Sequence, residues 1–179
     1  TTLADNGTRN STHMGLVGSM LMLPPEKSII LMRKYRVKWV LVYSYDIPKA
    51  VWMIKIASKY APQYGVKEEL WFNNDEKRYK RPFFDSVLWL LVVYGESKYS
   101  IKKLVEDYGE KDLKGEAESI AEKYSKITLL YFELVKKEKV GGRDYVKLYR
   151  VVWPEDLDEA PPLPTSLNET QYLNTTVGG

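Results

Sequence analysis

Two adjacent stretches decide how this chain folds: Val37-Lys-Trp-Val-Leu-Val-Tyr43 and, after two residues, Asp46-Ile-Pro-Lys-Ala-Val-Trp-Met-Ile-Lys-Ile56. The first is a short apolar run rich in β-branched and aromatic residues, which predicts a buried strand. In the second, Pro48 lies near the start with Asp46 as a candidate N-cap ahead of it, which predicts a helix. The two together form a β-to-α junction.

This junction is where functional residues are expected. In open α/β sheets, ligands gather outside the carboxyl ends of the strands, which here means residues 44–49. At about 100° per residue, the helix places Lys49, Met53 and Ile56 on one stripe. The stripe has two interpretations: a half-buried helix whose lysine extends along it to solvent, or a functional surface.

The overall composition is that of an ordinary soluble domain. The 179 residues are 44% hydrophobic and 28% charged, enough to bury one sizeable core. The net charge of +3 comes from 27 cations interleaved with 24 anions, so no basic patch indicates nucleic-acid binding. Tyr, Lys, Glu, Ile and Val are plentiful while Asn and Gln are few, which is typical of a thermophile.

Several kinds of catalytic and metal site are excluded by the residues present. The chain has no cysteine and one histidine, His13, so thiolate sites, histidine zinc sites and His-dependent triads are not expected. No phosphate-binding glycine pattern follows a strand, and the carboxylates are too scattered to indicate a glycosidase pair. A self-contained enzyme is therefore not expected.

Neither a signal peptide nor a membrane span is predicted. The start lacks a basic region followed by an apolar one, and the longest apolar runs are far shorter than the roughly 20 residues that cross a bilayer. The chain begins at Thr1 without an initiator methionine, so we expect it to be part of a longer protein.

The remaining pattern predicts a mixed α+β fold, with helices packed on a small sheet that includes a C-terminal β-hairpin. Helices are expected over 13–22, over 24–36 and over the fully buried run 83–94, which Gly95 ends. In the first of these, Gly15 and Gly18 favour close backbone packing, and Ser11 or Thr12 can serve as the N-cap. A short strand is expected over 68–72.

Two segments keep alternative interpretations. The charged stretch 98–122 predicts a short helix near 101–108 followed by a mobile loop, either a solvated insertion or a contact for a partner or membrane. Alternating residues over 125–139 and 145–152 flank Gly141-Gly142, which predicts the hairpin. Lys147 and Arg150 on its second strand have two interpretations: a solvated edge strand, or a basic hairpin that binds nucleic acid.

The end of the chain changes character. Residues 1–159 are expected to form one globular domain, and 160–179, rich in Pro, Ser, Asn and Thr, a tail. The chain contains four Asn-x-Ser/Thr triplets, which favour an extracytoplasmic location but also arise by chance; they begin at Asn6, Asn10, Asn168 and Asn174.

Two segments resemble the C-terminal soluble domain of the catalytic subunit of oligosaccharyltransferase, archaeal single-subunit type. Residues 1–18 are similar to the family's stretch shortly after its WWDYG signature. Residues 40–43, leading into Asp46, Lys49, Met53 and Ile56, match the family's DK motif in residue type and spacing. Asp156-Leu-Asp158 resembles a fainter acidic stretch after the last strand.

The resemblance implies transfer of an oligosaccharide from a lipid-linked donor to the asparagine of an Asn-x-Ser/Thr acceptor. Asp46, Lys49, Met53 and Ile56 would then be substrate-binding residues that help recognise the acceptor's Ser or Thr at position +2. It implies no catalytic base and no metal ligand here: a divalent metal, Mn or Mg, would be held by membrane loops outside this chain, so this chain alone should be inactive.

The resemblance also implies partners and a location. The partners would be the acceptor peptide, the lipid-linked oligosaccharide and the protein's own transmembrane region, with no nucleic acid. The domain would lie on the extracytoplasmic face of the cell membrane. The main alternative is a non-enzymatic extracytoplasmic α/β interaction module.

Overall fold

The computed structural model describes residues 10–140 and 144–153, and in that part of the chain helices pack against one face of a small antiparallel sheet. The helices are α1 (Ser11–Met22), α2 (Pro25–Lys34), α3 (Asp46–Tyr60), α4 (Glu68–Trp71), α5 (Val87–Val93), α6 (Lys98–Tyr108) and α7 (Ala117–Ser125). The strands are β1 (Trp39–Tyr43), β2 (Phe72–Asn73), β3 (Arg78–Tyr79), β4 (Phe132–Val140) and β5 (Asp144–Val151). Short 3₁₀ turns span Pro62–Tyr64, Arg81–Asp85 and Lys111–Glu116. The mixed α+β class is confirmed.

The main sheet has the order β1-β5-β4, and both of its strand pairs are antiparallel. The C-terminal hairpin is confirmed, but the expectation that β5 is a solvated edge strand is wrong. Strand β1 pairs along β5, from Trp39 opposite Arg150 to Tyr43 opposite Val146, and makes β5 the centre of the sheet. Because β1 is antiparallel to its neighbour, the rule about carboxyl ends of parallel strands does not apply to it.

Helix α5 lies at the centre of the fold, and all of its residues are buried, as predicted. It begins later than expected because the backbone of Ser86 is extended and its hydroxyl accepts a hydrogen bond from the Trp89 N–H at 3.2 Å. The residues before it form a separate 3₁₀ turn. Gly95 follows the helix with φ 76°, a left-handed conformation that favours glycine.

Side chains of the sheet cap the carboxyl end of α5. The Tyr149 hydroxyl donates to the Leu91 carbonyl at 2.7 Å. The Lys147 ammonium donates to the carbonyls of Val92 at 2.6 Å and Tyr94 at 2.9 Å. The last carbonyls of a helix lack partners within it, and a cation there is favoured by the helix dipole. Strand β5 therefore satisfies the buried end of the central helix.

The expected mobile loop within 98–122 is wrong. A 3₁₀ turn joins α6 to α7, and apolar residues at helical spacing bury a face of each helix: Ile101 and Val105 on α6, Ile120 and Ala121 on α7. The exposed face carries ion pairs from Lys98 to two glutamates of α7. The high charge of this segment belongs to one side of an amphipathic pair, which hid the helical spacing.

Two local predictions need correction. Residues 68–72 form mostly the short helix α4 rather than a strand, closed by bonds from the N–H groups of Leu70 and Trp71 to the Lys67 carbonyl. The Trp71 indole N–H donates to the Met22 carbonyl at 3.1 Å. The cap of α1 is Asn10, whose side-chain oxygen accepts from the N–H groups of Thr12 at 3.0 Å and His13 at 3.2 Å. Close packing at Gly15 and Gly18 is confirmed.

Some predictions lie outside the described residues. These are the tail at 160–179, the Gly-Gly turn of the hairpin, the acidic stretch 156–158, and the triplets that begin at Asn6, Asn168 and Asn174. The division into a domain and a tail therefore stays a prediction.

Candidate functional site

All four predicted site residues lie on α3, at positions i, i+3, i+7 and i+10 of one stripe. Lys49 is exposed, whereas Asp46, Met53 and Ile56 are half-buried. At 1.5 Å per residue the stripe is about 15 Å long. The helix therefore presents a row that runs from a carboxylate through an ammonium to a thioether and a branched aliphatic chain.

Asp46 holds the corner between β1 and α3. It is the first residue of the helix rather than its N-cap, and its Oδ2 accepts from the Tyr43 N–H at 2.7 Å. Burial raises the pKa of the Asp46 carboxyl, outweighing that hydrogen bond and the charge of Lys49, which both favour the ionised form. Among the described residues Asp46 and Lys49 form no ion pair, so Lys49 acts on the carboxylate only at longer range.

A tyrosine from another element fixes the first turns of α3. The Tyr79 hydroxyl donates to the Ile47 carbonyl at 2.6 Å and accepts from the Val51 N–H at 3.1 Å. The two backbone groups are four residues apart, so the hydroxyl bridges one turn of the helix. The ring stacks on Phe83 with centroids 4.0 Å apart, and the buried hydroxyl has its pKa raised to about 12. Strand β3 thereby ties the start of α3 to the core.

Met53 lies at the contact between α3 and α1. A Cβ on Gly18 would lie 2.9 Å from the Met53 carbonyl oxygen, and one on Gly15 would lie 3.0 Å from the Tyr60 backbone. Only glycine allows the two helices this close approach. The Met53 side chain packs partly against the core and partly faces solvent. Its position is therefore set by a rigid helix pair.

Exposed aromatic residues flank the stripe. Trp52 is 65% exposed, with the Lys55 ammonium 5.6 Å from its ring centroid. Tyr45 is half exposed and stacks on Tyr43, with ring centroids 5.6 Å apart. The stripe and its neighbours form an open surface that can take an extended chain segment, rather than a closed pocket.

A cavity of about 510 Å³ opens on the other side of the same corner. Its walls come from the end of β1, the first turn of α3, the end of α5, one face of α6, and residues of β5, with the exposed Lys139 of β4 at the rim. Ser44 and Ile47 line it, so the junction picked out by the sequence does adjoin a concave site. The volume lies in the usual range for small-molecule sites.

A buried ion pair forms part of the cavity wall. The Lys147 ammonium lies 2.7 Å from Glu96 Oε1, and the Lys137 ammonium contacts the same oxygen at 2.9 Å. Burial lowers the pKa of Lys147, against the attraction of Glu96. Burial acts to raise the pKa of Glu96, but hydrogen bonds from the two lysines outweigh it and hold that pKa below its ordinary value. Glu96 is therefore fully charged at neutral pH.

Alternation along β5 carried a signal for the burial of Lys147, although not for its partner Glu96. Tyr145, Lys147, Tyr149 and Val151 alternate along β5 and share one face, three of them aromatic or aliphatic. The core is on that face, so Lys147 had to be buried and partnered. The Tyr79 bridge gave no comparable signal, because β3 is two residues long.

No metal centre can be assembled from the described residues, which contain no group of three or more His, Asp or Glu side chains close enough to share an ion. The stripe on α3 contains a single carboxylate and no nucleophile activated by a base. Its chemistry fits recognition rather than bond-making. A divalent cation therefore does not fit this site.

The comparisons with known proteins give two partial relatives and no matching family model. Over 85 residues the chain is 34% identical to "Dolichyl-diphosphooligosaccharide–protein glycosyltransferase subunit stt3" of Schizosaccharomyces pombe, covering 43% of this chain and 11% of the relative. Over 76 residues it is 38% identical to the protein of the same name, subunit STT3, of Saccharomyces cerevisiae, covering 38% of this chain and 10% of the relative. Part of this chain is therefore STT3-related.

The STT3-related region is a small part of a much larger protein in those relatives. This chain spans about a tenth of their length. Within residues 10–140 and 144–153, no helix has the length and apolar character needed to cross a membrane.

Proposed function

We propose that this chain is the extracytoplasmic C-terminal domain of a membrane oligosaccharyltransferase. In the complete enzyme it helps to recognise Asn-x-Ser/Thr acceptors while glycan moves from a lipid-linked donor to the asparagine. The observation that carries this proposal is the 34–38% identity to two glycosyltransferase subunits of the STT3 type. An archaeal, thermophilic origin remains a prediction from composition and resemblance.

In this proposal Met53 contacts the methyl or methylene group of the acceptor residue at +2. The supporting geometry is a thioether that is half exposed yet held by the tight contact of α3 with Gly18. One buried methyl group contributes about 0.8 kcal/mol, roughly a fourfold preference for Thr over Ser. Met53 would therefore tune the acceptor choice rather than create binding.

The other three residues support Met53 in different ways. Asp46 fixes the strand-to-helix corner through the Tyr43 N–H. Lys49 presents an exposed ammonium one turn before Met53, where it can interact with acceptor carbonyl groups. Ile56 backs the methionine one turn later. The divalent metal, Mn or Mg, and its ligands would belong to other parts of the enzyme.

The test is glycosylation of paired Thr and Ser acceptor peptides by the full-length enzyme. We expect Met53→Ala to lower the Thr-to-Ser preference about fourfold, and Lys49→Ala to lower glycosylation of both peptides. The controls are Val51→Ala, a half-buried position on another face of α3, and Lys55→Ala, a lysine off the stripe whose side chain is 40% exposed. Thermal unfolding of each variant checks that the domain stays folded.

Retained activity and an unchanged Thr-to-Ser preference in both Met53→Ala and Lys49→Ala would overturn the site assignment. Equal losses in the Val51→Ala and Lys55→Ala controls would do the same, because the effect would then belong to the whole helix. A separate expectation is that the 179-residue chain alone transfers no glycan even with manganese or magnesium present. Measurable turnover by this chain would contradict that expectation.

A non-enzymatic interaction module remains the second candidate, favoured by the outer face of the sheet. Trp39 and Leu41 on β1 are 52% and 64% exposed and lie on the same face. Exposed apolar residues on a sheet face are typical of a docking surface. Loss of partner binding in Leu41→Glu together with full glycosylation activity in Met53→Ala would favour this candidate.

A further inference from the structure

The cavity beside α3 has a feature that acceptor recognition does not use: unpaired lysines at its rim. Lys103 on α6 and Lys139 on β4 both line the opening and are exposed. Across the described residues neither makes a hydrogen bond or an ion pair within this structure. Surface lysines are common, but here two from separate elements face one concave site.

The other charges of the cavity leave it cationic. The buried Lys147 uses its three N–H groups on two carbonyls and Glu96, so it is a structural part of the wall rather than a free donor. Glu96 is neutralised by Lys147 and Lys137 together. The remaining charge at the rim, among the residues that the structure describes, is Asp107, one turn along α6 from Lys103. Within that part of the chain, the unpaired rim groups are two cations and one anion.

The uncharged lining residues indicate what kind of organic group an anionic ligand of this cavity would carry. The floor is aliphatic, made by Val42, Ile47, Val92 and Leu104. Tyr99, Ser100 and Tyr145 also line the cavity. A cavity of about 510 Å³ is far larger than a single inorganic anion needs. The lining therefore suits an oxyanion carried on a ring-sized organic group.

Phosphate fits this arrangement better than carboxylate. Planar, bidentate recognition of a carboxylate is the usual task of arginine, whereas lysine serves as a point charge toward phosphate. Among the described residues, the lining includes lysines and no arginine. Lys103 and Lys139 line the cavity from two different elements, α6 and β4, so each can donate to a phosphate from its own side chain.

We propose that the cavity between α6, the sheet and the start of α3 binds a phosphate monoester of a ring-sized organic group. Lys103 and Lys139 contact the phosphate, and the aliphatic floor with Tyr145 receives the ring. This site is distinct from the stripe of Met53, and it does not depend on the acceptor-recognition proposal.

The test follows amide NMR signals of the 179-residue chain during titration with phenyl phosphate. We expect the backbone amides of Ser44, Ile47 and Tyr145 to shift together. Phenylacetate tests a carboxylate on the same ring, benzyl alcohol a neutral ring, and inorganic phosphate the anion alone. Each of these three should bind at least threefold more weakly. Titration with glucose 1-phosphate shows whether the cavity binds a phosphate on a sugar ring as well as it binds phenyl phosphate.

Variants of the rim residues test whether their charges determine phosphate binding. Lys103→Gln and Lys139→Gln should each weaken phenyl phosphate binding at least threefold, and Asp107→Asn should tighten it about twofold because it removes the competing anion. Lys27→Gln is the matched control, an exposed lysine on α2 outside the cavity, and should bind as the original chain does. The gain expected from Asp107→Asn cannot arise from misfolding.

Three results would overturn the proposal. The first is no shift of the cavity amides with any phosphate ester. The second is equal binding of benzyl alcohol, which would make the site merely apolar. The third is equal weakening by Lys27→Gln, which would make the binding a general ionic effect.

Discussion

The buried ammonium of Lys147 offers the sharpest test of how this fold is held together. Lys147→Met keeps a long flexible side chain but removes all three donated hydrogen bonds, at 2.6, 2.7 and 2.9 Å. The carbonyls of Val92 and Tyr94 at the end of α5 then lose their partner. Glu96 loses its buried partner and keeps only Lys137.

The magnitude follows from the burial of each group. Removing one partner of a buried ion pair costs about 3–5 kcal/mol, and each buried acceptor left unpaired costs about 1–3 kcal/mol. These contributions overlap. Glu96 is 24% exposed and retains Lys137, which places the effect at the low end. We expect Lys147→Met to lower the free energy of unfolding by about 3 kcal/mol.

The assay is urea unfolding of the 179-residue chain at neutral pH, followed by tryptophan fluorescence. Lys137→Met is the matched control: it contacts the same oxygen of Glu96 from a position opposite Lys147, but its side chain is 32% exposed. Exposed ion pairs contribute about 1 kcal/mol or less. A loss below 1 kcal/mol for Lys147→Met, or equal losses in the two variants, would refute the reasoning.

Three further expectations concern single contacts. The pKa of Glu96 lies below its ordinary 4.5, so this group adds stability that is complete above pH 4.5 and is lost as the pH falls through the lower pKa of the folded state. Glu96→Gln should therefore narrow the difference in unfolding free energy between pH 7 and about pH 3. An unchanged difference would contradict this expectation. Gly18→Ala should lower the free energy of unfolding by about 1–3 kcal/mol, because the added Cβ would lie 2.9 Å from the Met53 carbonyl oxygen. The control Gly115→Ala, where the added Cβ meets open space, should cost far less. Similar unfolding midpoints for the two variants would argue against a tight helix contact. Tyr79→Phe should cost about 1 kcal/mol because it removes the hydroxyl that bonds to the Ile47 carbonyl and the Val51 N–H. Tyr99→Phe, at an exposed position, should stay within about 0.5 kcal/mol in the same denaturation assay; equal losses would argue against the tie between β3 and α3.

The elements with strong apolar patterns could be predicted from sequence. The run that forms β1, the proline-started α3 and the fully buried α5 each follow from local composition. Helical periodicity correctly placed Lys49, Met53 and Ile56 on one stripe of α3, whereas Asp46 is the first residue of the helix rather than its N-cap. Their role in acceptor binding stays a prediction.

The partnerships between distant elements could not be predicted. Nothing local distinguishes β5 as a central strand, because its pairing with β1 depends on a segment far away along the chain. The buried position of Lys147 follows from that pairing, as does the cavity that it lines. The cavity also needs α6, whose amphipathic pattern was obscured by its charge. Concave sites of this kind depend on tertiary packing, which single-sequence patterns do not encode.

The long-range pairing of β1 with β5 also sets the order in which the domain can be completed. Trp39 meets a partner more than a hundred positions later, whereas β4 and β5 are neighbours in the chain. Closing the longer loop has the larger entropic cost, so we expect the hairpin to form first and β1 to join it late. Synthesis proceeds from the amino terminus, so the strand that anchors the corner at Asp46 waits for β5 to emerge. The surface presented by α3 therefore reaches its final rigidity only after nearly all of this domain has left the ribosome.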